Sequence, residues 1–219
     1  LRTSESPIRR DLTTLHKRGA LIKVHGGATT AESETMTRDA DLSLRSTLNK
    51  EEKTVIGKYA AGLIREEDFV YLDAGSSVDV MIDYITESGA LYVTNSVSHA
   101  QKLLKKGMRV FLIGGELKAV TEAIVGAEAV EGLKKYHFTK GFFGTNGITK
   151  KTGFTTPDIN EAAVKSMAME QCKECYIVTD ASKFDLISPV SFSTFYGGTI
   201  LTDQIVSGYE GMQHIVKVP

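Results

Sequence analysis

Apolar positions along the chain follow several distinct rhythms. Near the N-terminus Ile8, Leu12 and Leu15 recur at i, i+4 and i+7, which is one stripe of a short helix. Ser4 or Ser6 suits its N-cap, and Pro7 suits its first turn, where a missing N–H costs nothing. Gly19 suits its end. Residues 20–25, Ala-Leu-Ile-Lys-Val-His, then alternate as a strand does and stop at Gly26-Gly27. Residues 29–48 are polar and without a period, which predicts a linker that becomes partly helical towards Leu42 and Leu44.

From Asn49 the rhythm changes. Asn49 with Glu52 predicts a capping box, and Val55, Ile56, Tyr59, Ala60, Leu63 and Ile64 lay a stripe along the helix that follows. Short apolar runs at 69–72, 91–93, 109–113, 141–143, 176–178 and 199–201 predict strands. Between them, stretches near 77–86, 96–106, 123–134 and 159–172 predict helices. Strands apolar on both faces and separated by helices predict an α/β fold with a mostly parallel sheet flanked by helices. The expected organisation is an N-terminal module over 1–28, a linker over 29–48 and one large domain over 49–219.

Composition narrows the class. With 42% hydrophobic and 24% charged residues in 219, the chain falls in the ordinary globular range, against disordered or fibrous readings. Its longest apolar runs are far short of the ~20 residues that span a bilayer. No basic-then-apolar leader opens the sequence, and two cysteines suit a reducing compartment, so a cytoplasmic protein is expected. The net charge of -1 hides an asymmetry. Residues 1–27 carry six basic side chains against two acidic ones, a charge of +4 that leaves -5 on the rest. A basic head on an acidic body suits contact with a polyanion, although a solvated surface helix carries such a cluster equally well. A basic helix followed by a short strand and a glycine turn is how a winged helix-turn-helix ends.

The run Ile8-Arg9-Arg10-Asp11-Leu12, then Gly19-Ala20-Leu21-Ile22-Lys23-Val24-His25-Gly26-Gly27-Ala28, closely resembles the DNA-binding signature of DeoR-type bacterial transcriptional regulators. Pro7 stands where that family usually has threonine. The helices that would brace the recognition helix are missing before Leu1, so this chain is expected to bind DNA weakly or not at all, and its full-length parent to bind operator DNA. The resemblance implies Arg9 and Arg10 at bases or phosphates, with Lys23 and His25 on the wing near the backbone.

The large domain carries its own chemistry. In open α/β sheets ligands bind beyond the carboxyl ends of strands. Here four such ends carry small hydroxyl, amide and glycine residues: Asp73-Ala74-Gly75-Ser76-Ser77, Thr94-Asn95-Ser96, Gly144-Thr145-Asn146-Gly147 and Thr179-Asp180-Ala181-Ser182-Lys183. Tight turns use the same residues. Four such loops at one edge predict a pocket for a small phosphorylated, hydroxylated molecule. These segments, with Asn49-Lys50-Glu51-Glu52-Lys53 and Val110-Phe111-Leu112-Ile113-Gly114-Gly115, also resemble landmarks of the DeoR-type sensor domain, whose sheet is similar to ribose-5-phosphate isomerases and glucosamine-6-phosphate deaminases. The resemblance implies Asp73, Gly75, Ser76 and Ser77 on a sugar-phosphate effector and Thr94, Asn95 and Ser96 on its phosphate or sugar. Asn146, Glu161, Lys165, Lys53 and Lys183 complete the pocket. The stretch from Gly153 to Ala163 resembles fructose-type members, which makes fructose 1-phosphate the leading effector. It further implies a repressor of a sugar-metabolism operon and a homo-oligomer.

The rival reading is a sugar-phosphate isomerase or deaminase of related fold. Enolisation needs a carboxylate base with acidic partners. The isomerases resemble Asp-Gly-Ala-Asp where this chain has Gly144-Thr145-Asn146-Gly147, and neither Thr nor Asn shuttles protons near neutral pH. The expectation is therefore no enzyme, no cofactor and no metal. Cys172-Lys173-Glu174-Cys175 has no second pair to complete a zinc site, and it closes a helix instead of opening one as a redox pair does, so two buried thiols are expected.

Overall fold

A computed structural model of the chain describes residues 11–12, 21–24, 27–30 and 48–219. Two compact units result, Leu1–Thr35 and Met36–Pro219. In the first, Asp11 and Leu12 are helical, and strands β1 (Leu21–Val24) and β2 (Gly27–Thr30) pair antiparallel, with Val24 opposite Gly27. Of the alternation at 20–25, Leu21–Val24 does form a strand. Thr29 and Thr30, expected to begin the linker, belong to β2. The expected cap, the remaining turns of the basic helix, Arg9, Arg10, His25 and the rest of the linker to 47 lie outside the described residues. Lys23 is on β1.

The second unit is built on seven parallel strands. In chain order the elements that lay out the sheet and its helices are α1 (Lys50–Ala61), β3 (Phe69–Leu72), α2 (Ser76–Tyr84), β4 (Leu91–Thr94), α3 (Val97–Lys105) and β5 (Arg109–Leu112). A hairpin of β6 (Glu116–Lys118) and β7 (Ala123–Val125) follows. Next come α4 (Ala127–Leu133), β8 (Phe138–Phe143), β9 (Gly147–Thr149), β10 (Gly153–Thr156), α5 (Ile159–Glu170), β11 (Cys172–Val178), β12 (Val190–Ser193), β13 (Thr199–Thr202) and β14 (Ile215–Lys217). The sheet order is β14-β13-β11-β8-β3-β4-β5, every pair parallel, and β12-β10-β9 form a small antiparallel sheet.

Period-2 alternation sorts each central strand between two cores. Val70 and Leu72 face one cluster with Phe142, Val178 and Leu201; Tyr71 faces the other with Phe143, Ile177 and Ile200. Helices α1 and α2 close the first face through Ile56, Ala60, Val78, Met81 and Ile82, while α4 and α5 close the second through Ala129, Leu133, Ala162, Val164 and Ala168. Each fully buried large aliphatic contributes about 1.5–3 kcal/mol. Gly57 lets α1 and α2 approach closely, because a Cβ there would lie 3.0 Å from the Met81 backbone.

Three expectations change. Asn49 makes no capping box: it sits in the left-handed region (φ 51°) and its amide donates instead to Asp180 Oδ1 at 2.9 Å and Ser182 Oγ at 3.1 Å. The helix expected over 123–134 begins only at Ala127, because 123–125 pair with 116–118 and Gly126, at φ 94°, turns the chain. The cysteine pair lies wholly within β11 and is half-buried, not buried; the Cys172 thiol donates to Ala168 O at 3.1 Å.

Candidate functional site

The carboxyl ends of β3, β4, β8 and β11 do lie along one edge of the parallel sheet, and side chains from their loops interlock. Asp73, directly after β3, is 1% exposed. Its N–H donates to Phe142 O at 3.0 Å, which ties the β3 end to β8. Its Oδ2 accepts the Gly144 N–H at 3.0 Å and the Lys165 ammonium from α5. Lys165 also donates to Gly144 O at 3.1 Å. Burial pushes the Asp73 carboxyl above its usual range and the Glu161 charge pushes the same way, while the Lys165 ammonium and the Gly144 N–H pull against them.

Ser76 begins α2. Gly75 precedes it in extended backbone and supplies no capping side chain, so the start of α2 has no side-chain cap. The Lys53 ammonium, from α1, donates to Ser76 Oγ at 3.0 Å, and both residues are buried. Ser77 beside it is half-buried. A positive side chain, a hydroxyl and an uncapped helix N-terminus at one place are the chemistry that suits an anion.

The β4 loop is tied to its neighbours by hydrogen bonds. Asn95 Oδ1 accepts the Ala74 N–H at 2.8 Å, and its Nδ2 donates to Ile124 O at 3.3 Å, which links the β3 loop to β7. Ser96 caps α3, its Oγ accepting the His99 N–H at 3.3 Å, and Thr94 Oγ1 accepts the Ser96 N–H at 3.1 Å. Thr94 and Ser96 are committed to local structure and fully buried. Asn146 sits on the β8 loop, its N–H donating to Thr155 O at 3.0 Å and its Oδ1 accepting the Thr156 hydroxyl at 3.3 Å. Gly147 beneath it must be glycine, since a Cβ would fall 2.3 Å from Leu186 O.

Glu161 lies one turn before Lys165 on α5, whose N-cap Asp158 accepts the Asn160 and Glu161 N–H groups. Its Oε1 accepts from Thr121 Oγ1 at 2.7 Å and Lys118 Nζ at 3.0 Å, and Lys118 also pairs with Asp158 at 3.1 Å. Both partners come from the β6–β7 hairpin, and sequence reading missed them. Strands of three residues are too short to show a period, and no motif marks Lys118 or Thr121. Lys183 is the outlier: it sits half-buried on a 3-10 turn (Ala181–Lys183) capped by Asp180, and among the described residues no hydrogen bond or ion pair joins its ammonium to the other candidates. The arrangement therefore sets a cation and a hydroxyl at an uncapped helix start (Lys53, Ser76, Ser77 and the α2 N-terminus) beside a polar cluster of Asp73, Asn95, Glu161 and Lys165, in which Lys165 faces Asp73 and Lys118 faces Glu161.

Comparison with known proteins gives two family matches, a DeoR C-terminal sensor domain over residues 48–204 and a DeoR-like helix-turn-helix domain over residues 1–34. A regulator of Bacillus subtilis described as the uncharacterized HTH-type transcriptional regulator FruR is 42% identical over 200 residues, covering 91% of this chain and 79% of that protein. The lactose phosphotransferase system repressor of Streptococcus mutans is 33% identical over 207 residues, 92% of this chain and 80% of its own length. Among solved structures, the ribose 5-phosphate isomerase A of Methanocaldococcus jannaschii superposes at TM-score 0.47 and 13% identity over 62% of this chain. The chain spans 55% of the length of that structure.

Proposed function

This chain belongs to the DeoR family of transcriptional regulators, and from that premise we propose that it is a cytoplasmic repressor of a sugar-metabolism operon whose C-terminal domain is controlled by a phosphorylated sugar, fructose 1-phosphate first among the candidates. The observation that carries the effector reading is Lys53 donating to Ser76 Oγ at 3.0 Å beside the uncapped start of α2. A phosphate there gains a cation, a hydroxyl and backbone N–H groups together. Asp73, Gly75, Asn95, Asn146, Glu161 and Lys165 border the sugar, Ser77 joins Ser76 on the phosphate, Thr94 and Ser96 hold the β4 loop in place, and Lys183 stands at the rim. The resemblance to fructose-type members between Gly153 and Ala163 supports the choice of sugar.

In the same reading the segment through β2 (Gly27–Thr30) is the end of a winged helix-turn-helix, the linker runs from there to 48, and 49–219 is the sensor. Arg9 and Arg10 contact operator DNA, and Lys23 and His25 steady the wing on the phosphate backbone. Effector binding favours one arrangement of a homo-oligomeric sensor and so biases the spacing of two DNA-binding heads. The site binds without catalysing: its two buried carboxylates are each held by an ammonium group, Asp73 by Lys165 and Glu161 by Lys118, which suits fixed charge better than proton transfer.

Thermal unfolding of the chain against a panel of sugar phosphates and their parent sugars tests this. A ligand a hundredfold above its Kd adds about 2.7 kcal/mol of stability. The expected result is a rise with fructose 1-phosphate, none with fructose, and its loss in Ser76→Ala. A rise with a different phosphorylated sugar reassigns the effector. Turnover of the ligand replaces the sensor with an enzyme, and silence across the panel removes the sugar-phosphate reading.

A further inference from the structure

Glu161 is held by one oxygen only. It is 7% exposed, and both groups that reach its carboxylate, Thr121 Oγ1 at 2.7 Å and Lys118 Nζ at 3.0 Å, donate to Oε1. Among the described residues no hydrogen bond reaches Oε2. Polar atoms of buried side chains are ordinarily given a partner, because leaving one without costs free energy. A carboxylate oxygen only accepts, so what fits Oε2 is a donor such as a hydroxyl.

The hairpin that supplies both partners is itself fixed. The Ile124 N–H donates to Asn95 O at 2.6 Å, Asn95 Nδ2 donates back to Ile124 O, and Ala123 bridges Ser96, so the hairpin lies along the β4 loop. Its turn closes with the Glu122 N–H on Lys118 O at 2.9 Å, and Glu122 takes φ 53°, a left-handed conformation that costs a residue with a side chain. Such strain persists where the surroundings over-determine it, and functional sites are where it gathers. Here the turn leaves Lys118 and the buried Thr121 on one carboxylate, 43 and 40 positions away. Charge around that carboxylate is unequal: Asp73, Asp158 and Glu161 stand against Lys165 and Lys118, three carboxylates to two ammonium groups.

We propose that Glu161 Oε2 accepts from hydroxyl groups on the sugar part of the effector, that Lys118 and Thr121 are the residues that position it, and that this end of the site thereby selects an uncharged, polyhydroxylated tail over one that ends in a carboxylate. The inference rests on the sugar-phosphate reading above and concerns the part of the ligand beyond the phosphate. A hydroxyl that donates to Oε2 makes a charge-assisted bond, the stronger kind. A carboxylate in its place has no proton to donate and meets a like charge, which counts against that ligand even when its phosphate is well bound. Lys118 and Thr121 are engaged at Oε1, so their influence on the ligand runs through Glu161.

Isothermal titration of the 219-residue chain with fructose 1-phosphate, or with the phosphorylated sugar that replaces it in the thermal panel, tests this, with circular dichroism reporting that each variant is folded. Glu161→Ala and Thr121→Val are each expected to raise Kd about tenfold or more. Thr121→Ser, which keeps the hydroxyl, is expected to stay within about threefold of wild type. Added to Glu161→Ala, Thr121→Val is expected to cost less than about twofold more, because a residue that acts through Glu161 then has nothing to position. If Thr121→Val unfolds, Lys118→Met is read in its place in the same cycle. 6-Phosphogluconate, a phosphorylated chain that ends in a carboxylate, is expected to bind wild type at least about tenfold more weakly than the sugar phosphate, and Glu161→Ala by a smaller margin. Three results each overturn the inference and leave the sugar-phosphate reading standing: a Kd indifferent to Glu161→Ala or Thr121→Val, a Thr121→Val loss as large beside Glu161→Ala as alone, or 6-phosphogluconate bound as tightly as the sugar phosphate. No binding of any sugar phosphate to the wild type removes both.

Discussion

Lys165, on the face of α5 turned to the sheet, is paired with the carboxylate of Asp73 at the end of β3, 92 positions away in the chain, and both are buried. The pair pins the covering helix to the strand end on which the β3 loop turns. Two charges out of water are costly singly and tolerable only together. Gly144 strengthens the arrangement from the β8 side, giving its N–H to Asp73 and its carbonyl to Lys165.

Lys165→Met should therefore cost about 3–5 kcal/mol in urea unfolding, because it strands the Asp73 charge in the interior. Adding Asp73→Leu should recover a large part of the loss, since the pair then leaves together. A single-variant loss below about 1 kcal/mol would mean that water reaches the pair and that it does not tie α5 down.

The anion site proposed at Lys53 and Ser76 makes a separate demand. Lys53→Met removes the cation beside Ser76 and leaves the α2 N-terminus intact. Losing a charge-assisted bond to a phosphate costs about 1.5–3 kcal/mol, or roughly 10- to 100-fold in Kd. Isothermal titration of wild type and variant with fructose 1-phosphate checks this. An unchanged Kd would place the phosphate elsewhere in the site.

Much of this architecture is legible in the residues. Runs such as Phe69-Val70-Tyr71-Leu72, apolar on both faces, can only be central strands, and their fixed connection to helices makes them parallel. The loops at their ends follow from the topology, so Asp73, Ser76, Asn95 and Asn146 are found from sequence as strand-end residues. What escapes is what depends on long-range pairing. Strands β6, β7, β9 and β14 have three residues each, below the length at which alternation is visible, and 123–125 read as helix until 116–118 are laid beside them. The partners of Glu161 escape for the same reason, since Thr121 lies 40 positions away. Asn49 shows the converse error: a local capping pattern is overridden by Asp180 and Ser182, more than 130 positions on.

Gly153 opens β10 at φ 71°, and a Cβ there would lie 2.1 Å from Ser193 O on β12. Gly208, at φ 87°, has open space around the same position. Gly153→Ala should cost about 2–4 kcal/mol, backbone strain plus a forced separation of β10 from β12. Gly208→Ala should cost about 1–2 kcal/mol, strain alone. Equal losses in denaturant melts would mean that β12 yields freely and does not brace the Asn146 loop.

His99 on α3 is 1% exposed, its Nδ1 has no partner among the described residues, and its Nε2 lies 3.8 Å from Asp79 Oδ1. Burial lowers its pKa to about 4; Asp79 opposes this and Lys102 adds to it. An unfolded histidine titrates near 6.5. Between these values the unfolded chain takes a proton that the native imidazole refuses, so stability must fall as pH drops from about 6.5 towards 4, by about 3 kcal/mol in all. The carboxylates held low by hydrogen bonds and lysines, Asp68 beside Lys140 and Asp158 beside Lys118, lose their contribution only below the ordinary carboxylate range, so the two windows separate. His99→Leu should leave stability at pH 7.5 within about 1 kcal/mol and flatten the slope between pH 6.5 and 4.5. Urea midpoints at those pH values decide it. A variant that keeps the full slope would show that His99 is already protonated in the fold, with Asp79 as its counter-ion.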